Sequence, residues 1–212
     1  MNMRLWVFRL SLGNSGEPSN ECPVDLDRDD IKRYRHETSP IKFSDYPDLD
    51  LAILNNELFE KGKLRQGWGT SFNRINLDLN HPQKKWLENY IKLAWKVQGE
   101  KVDCEDAMGR YNILKGMKDM KVGNIVFVPR IPDENQFTVA TVKKEYYFQK
   151  ITGFIGHGHV IEIKKIKIFN YYDFIVPKIF NPYRRAIGEI KENHQNFRTI
   201  NTFIKKYYSF KK

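Results

Sequence analysis

Cysteine is almost missing from this chain: the 212 residues contain two, Cys22 and Cys104. That excludes a disulfide framework and a four-cysteine zinc site, and both read as free thiols. Long apolar runs are missing too. No stretch approaches the ~20 residues that a membrane-spanning helix needs, so no membrane partner is expected. The first residues lack the basic-then-apolar layout of a secretory leader, and the expected setting is the cytoplasm. There is no Gly-x-x-x-x-Gly-Lys phosphate loop, no serine or cysteine in a recognisable nucleophile setting, and no internal repeat or extended low-complexity tract. These gaps remove the P-loop nucleotide hydrolases and the serine and cysteine hydrolases from consideration. No cofactor is implied.

What is present is apolar and unevenly charged. Hydrophobic residues at 41% and aromatics at 14% give enough material to bury a real core within one domain of moderate size, or a core domain with an appendage. Residues 1–140 hold 21 Lys+Arg against 21 Asp+Glu, whereas residues 141–212 hold 15 against 5. The last third therefore supplies the whole formal net charge of +10. Such asymmetry is the footprint of a polyanion partner, because each lysine or arginine that meets a phosphate releases a condensed counterion. Its bland counterpart is a solubility surface. Lys164, Lys165, Arg184, Arg185, Lys205 and Lys206 are the candidates for backbone contacts. Tyrosine and phenylalanine interleave with these charges, as stacking on bases requires.

Along the chain, residues 4–10 read as a strand with Trp6, Phe8 and Leu10 on one face. Residues 11–47 are polar and carry an acidic cluster from Asp25 to Asp30. Leu51, Leu54 and Leu58 recur at helical spacing before Gly62. Trp86, Leu87, Tyr90, Ile91, Ala94 and Trp95 form the buried stripe of a helix that starts after Pro82. Asp103 is placed to cap a second helix with Ala107, Tyr111 and Leu114 facing inward. Strands at 123–129 and 137–142 flank a turn at 132–135. In the following strand Ile161 and Ile163 keep one phase of alternation and Ile166 and Ile168 the other. A bulge at Lys164–Lys165 would keep both pairs on the core and push the lysines out. Ile200, Phe203, Ile204 and Tyr207 mark a final amphipathic helix.

Catalytic constellations are sparse. Asp48 with Glu162 and Lys164 could form the acidic pair and lysine of a metal-dependent nuclease, although the halves lie far apart in sequence. His157 and His159, on alternate positions of Gly156-His157-Gly158-His159, could share a face toward zinc, but no third ligand is evident. A glycine-flanked turn with incidental histidines is the simpler reading, so no metal is assigned.

Arg65-Gln66-Gly67-Trp68-Gly69 and Gly123-Asn124-Ile125-Val126-Phe127-Val128-Pro129 are the most informative segments. Glycines on both sides of Trp68 leave room for a backbone or a flat ligand, so Trp68 is either a core residue at a bend or one wall of a base-binding cage. With the Leu5–Arg9 strand, the strand at 137–142, Tyr146-Tyr147-Phe148 and the Gly158–Ile163 strand, these segments resemble the PUA-like group, including EVE and YTH modified-base readers and the amino-terminal DNA-reading domains of Mcr-type restriction systems. The resemblance spans roughly residues 4–170, with Asn124 where that group usually has an acidic residue. It implies an α+β fold: a twisted mixed or antiparallel β-barrel flanked by helices, over residues 1–170, with an insertion at about 13–60 and a basic, helical extension from 171 to 212. It further implies a sensor that flips a modified, most plausibly methylated, base of double-stranded DNA into an aromatic cage. Trp68 is the first wall, and Tyr146, Tyr147 and Phe148 compete for the second. A nuclease or ATPase subunit is a further expected partner. A small metal-dependent endonuclease and a reader of modified or structured RNA remain the alternatives.

Overall fold

The computed structural model describes residues 3–10, 47–69, 71–72, 75–94, 102–133, 135–150, 156–173, 186–194 and 196–208. Cys22, Trp95, Arg184, Arg185 and the side chain of Asp48 lie outside that description.

β1 (Leu5–Phe8) is buried at all four residues. It can be, because it is an inner strand: it runs parallel to β5 (Ile125–Pro129) and antiparallel to β8 (Ile187–Ile190), with both sheet faces covered. With β2 (Lys63–Gln66), β6 (Gln136–Phe148) and β7 (His159–Asn170) these strands form one curled half-barrel in the order β2-β7-β6-β5-β1-β8. The mixed α+β class is as the sequence implies. A separate two-stranded ribbon pairs β3 (Ser71–Phe72) with β4 (Ile75–Asn76).

Alternation along β1 sends Leu5 and Val7 to one face and Trp6 and Phe8 to the other. The first face is covered by α5 (Phe197–Phe203) and a π turn (Ile204–Tyr208) through Ile200, Phe203, Ile204 and Tyr208. The second face takes Leu58 of α1 (Pro47–Phe59) and Met117 of α4 (Gly116–Asp119). Residues after 170 thus contribute an edge strand and a covering helix to the sheet itself. A third cluster joins α2 (Gln83–Leu93) to α3 (Cys104–Leu114) around Trp86, which is fully buried, donates from Nε1 to the Leu77 carbonyl at 2.8 Å and stacks on Tyr90 at 5.0 Å. Asp103 caps α3 by accepting from the Asp106 N–H at 2.8 Å.

The bulge expected at Lys164–Lys165 is present. Thr141 pairs with Lys164 but Val139 with Lys167, and Lys165 adopts a left-handed φ of 55°. Ile161 and Ile163 are buried and Ile166 leans on the same core, yet Ile168 is 46% exposed. Ile168, paired with Thr138 toward the end of β7, lies outside the cluster that takes Ile166. A second correction concerns Tyr207. The π turn adds a residue to the helical turn, so Tyr208 rather than Tyr207 enters the core and Tyr207 is 39% exposed. The Tyr208 hydroxyl donates to the Lys165 carbonyl at 2.9 Å and meets Thr141 Oγ1 at 2.8 Å. The two backbone irregularities therefore satisfy each other.

This pairing predicts that Tyr208→Ala lowers unfolding free energy by about 3–5 kcal/mol, as for a large aromatic removed from a core. Tyr207→Ala should change it by only about 0.5 kcal/mol. Urea denaturation of the two variants measures the difference, and equal losses would contradict the π-turn register.

Candidate functional site

Two glycine-rich segments cross where β2 ends and β7 begins. Gly69 donates its N–H to the Gly156 carbonyl at 2.7 Å, and Gly158 donates to the Gly69 carbonyl at 3.2 Å. A Cβ on Gly69 would lie 2.5 Å from the Gly158 nitrogen, and one on Gly158 would lie 2.5 Å from the Gly69 oxygen and from Phe148 Cζ. The room that glycine provides here is taken by the other backbone.

Trp68, held in this crossing, has a φ of 57°. That is an outlier for a bulky side chain and costs about 1–3 kcal/mol. A buried polar chain opposes the strain. His159 Nε2 lies 3.3 Å from the Trp68 carbonyl, which can only accept, so this nitrogen carries the proton. His159 Nδ1 then accepts from the Tyr146 hydroxyl at 3.1 Å, whose single proton is shared with Asp78 Oδ1 at 3.0 Å, while the hydroxyl oxygen accepts from the Leu79 N–H at 3.0 Å. Burial lowers the His159 pKa to about 4, so the ring is neutral at pH 7, and burial drives the Tyr146 pKa far up. The half-buried Trp68 ring carries the Arg110 guanidinium 5.3 Å from its centroid, and the same group lies 5.6 Å from the Tyr90 ring.

The expected cage residues divide between faces. Tyr146 and Phe148 gather on His159 with ring centroids at 5.8 and 5.7 Å, and the Trp68 carbonyl joins them there. Tyr147 projects to the opposite face, where its hydroxyl donates to Glu162 Oε1 at 3.3 Å and Lys144 Nζ lies 4.4 Å from its ring centre. The expected backbone-binding lysines stand on two segments that are bonded to each other. Lys164 and Lys165 are exposed at the bulge, Lys205 and Lys206 are exposed on the π turn, and the Tyr208 bond to Lys165 joins the two. Lys167 Nζ adds a bond to the Tyr207 carbonyl at 3.3 Å.

Of the nuclease constellation, Glu162 lies 3.4 Å from Lys143 and 3.7 Å from Lys144. Burial would raise its pKa, but the bonds and charges of Lys143, Tyr147 and Lys144 outweigh that and hold the carboxyl below its ordinary range. Both ring nitrogens of His159 are engaged by Tyr146 and Trp68. Among the described residues no group of three or more His, Cys, Asp or Glu side chains is placed to hold a metal ion.

Sequence reading missed Arg110 and the buried pair Glu57–Arg65, whose atoms lie 2.7 Å apart. Arg65 also donates to the carbonyls of Gln149 at 2.6 Å and His157 at 3.1 Å, fixing both ends of the segment between β6 and β7. The only local signal was a charged residue at alternate phase in a short strand. No family model matches the chain, and no curated protein or solved structure matches it.

His159 makes stability depend on pH with a definite sign. Its folded pKa of about 4 lies below the ~6.5 of an unfolded histidine, so between these values only the unfolded state takes up the proton. Stability should be fully present above pH 6.5 and fall as pH drops to 4, by roughly 1.4 kcal/mol per unit and about 3 kcal/mol in all. Denaturant titrations at pH 6.5 and 5 compare wild type with His159→Asn, and an unchanged slope in the variant would assign the effect elsewhere.

Proposed function

We propose that this chain is a nucleic-acid-binding module of PUA-like, EVE- or YTH-like architecture that recognises a methylated base in double-stranded DNA, as the sensor of a restriction or defence system. The observation that carries the reading is that the π turn bearing the exposed Lys205 and Lys206 is bonded, through the Tyr208 hydroxyl, to the backbone of the bulge that bears the exposed Lys164 and Lys165. Phosphates are bound by charge of this kind without regard to sequence, which gives affinity and a strong salt dependence.

Reading a methyl group requires something else, because a methyl offers no hydrogen bond. An aromatic face that desolvates the methyl and stacks on the ring meets that need, and a flipped base brings the ring within reach. Trp68 supports this role: its backbone is strained, it is half-buried, and its frame of His159, Tyr146 and Asp78 fixes its carbonyl. Strain sustained by such a frame is a mark of functional positions. Arg110 over the Trp68 ring supplies a cation at the same place. Cleavage, where it follows recognition, belongs to a nuclease or ATPase partner.

A panel of methylated and unmethylated DNA and RNA oligonucleotides, with and without magnesium, tests this reading. The triple variant Lys164→Ala, Lys205→Ala, Lys206→Ala should weaken methylated and unmethylated DNA alike and flatten the salt dependence by about one unit for each phosphate that is no longer neutralised. Trp68→Ala should reduce the preference for methylated DNA by roughly 1–3 kcal/mol with the slope unchanged. Preference for RNA, or magnesium-dependent cleavage that disappears in Glu162→Ala, would replace the proposal with one of its rivals.

A further inference from the structure

The strand that carries Tyr146 and Phe148 toward the helices carries Tyr147 toward the opposite face, and that face has its own chemistry. Tyr147 is half-buried with Lys144 Nζ at 4.4 Å from its ring centre. Tyr207 is 39% exposed with Lys206 Nζ at 4.9 Å from its ring centre. Both lysines are exposed, and Tyr207, also packed on Phe203 at 5.4 Å, is itself exposed. A stacking ring can displace the ammonium, which then reaches a neighbouring phosphate.

The two tyrosines lie at the ends of one strip. Thr141, whose hydroxyl meets Tyr208 beside Tyr207, pairs with Lys164, and Tyr147 pairs with Val160 four residues away on β7, about 13 Å at the rise of a strand. Between them stand the exposed Lys143, Lys144 and Lys164. Glu162, the acidic group of the strip, is already paired with Lys143 and Lys144. The π turn is what brings Tyr207 out to this surface, since a regular helical register would bury it.

We infer that this face of β6 and β7 binds a single-stranded nucleic acid, with unpaired bases stacked on Tyr147 and Tyr207 and phosphates held by the lysines between and around them. The inference rests on the nucleic-acid reading above and adds to the proposed duplex site a separate surface for unpaired strands. A duplex hides its base faces within the stack and is read through its grooves, whereas tyrosines at the surface, one on β6 and one on the π turn, suit bases that are already unstacked. A base flipped from a duplex leaves its former partner unpaired, which such a surface would also receive.

Fluorescence anisotropy with a labelled 12-nucleotide thymidine strand, a blunt 12-base-pair duplex and a poly-glutamate peptide tests it across a salt series. Wild type should bind the single strand more tightly than the duplex. Tyr207→Ala and Tyr147→Ala should each weaken single-strand binding roughly 5- to 100-fold with the salt slope retained. Tyr207→Phe should keep wild-type affinity, because stacking needs the ring and not the hydroxyl. Lys143→Ala with Lys164→Ala should weaken both nucleic acids and lower the slope. Tyr207, exposed, keeps the test valid if Tyr147→Ala destabilises the fold. Equal binding of strand and duplex, unaffected by either tyrosine variant, overturns the inference while the nucleic-acid reading survives. Binding of the acidic peptide alone overturns both.

Discussion

The mutual approach of Gly69 and Gly158 constrains more of this molecule than any other contact. Two backbones cross with no space for a Cβ on either side, and hydrogen bonds between them fix where β2 leaves the sheet and β7 enters it. That crossing imposes a left-handed conformation on Trp68 and puts His159 beneath its carbonyl. From there the chain of bonds runs through Tyr146 to Asp78, and so ties the sheet to the loop that leads into α2. Arg65 and Glu57 hold the same junction from the other side. A buried ion pair contributes little net stability, but leaving either partner alone in the interior would be costly, and so Glu57 and Arg65 must be buried together.

β6 converts that junction into two surfaces. Its alternation sends Tyr146 and Phe148 to the helical side and Tyr147 to the other side, with a register shift between Lys144 and Tyr147. The helical side is dry, strained and rich in aromatics, with a neutral histidine at its centre. The other side, where β6 and β7 run past the C-terminal helix, carries the exposed Lys143, Lys144 and Lys164. Under the proposed function, these two faces would divide the gripping of a polyanion from the inspection of a base, tasks that need opposite dielectric surroundings. Tyr208 links the lysine side to the C-terminal helix by answering the carbonyl that the Lys165 bulge presents.

The sequence by itself determined what depends on local periodicity and backbone chemistry. The Trp86–Tyr90 stripe, the Asp103 cap, the strand of alternating residues at the start, the bulge read from an isoleucine phase slip and the basic final third are all properties of neighbours within a few residues of one another. Tertiary structure alone decided which atoms meet across the chain. The order of the six strands, the placement of Arg110 over Trp68, the Glu57–Arg65 pair and the separation of Tyr147 from Tyr146 and Phe148 follow from long-range pairing and from register shifts that add a residue to one strand. The exchange of Tyr207 for Tyr208 shows why. Helical period placed Tyr207 inside, but a hydroxyl was needed at the Lys165 carbonyl some 40 residues away, and a buried polar group left without its partner is more costly than one π turn.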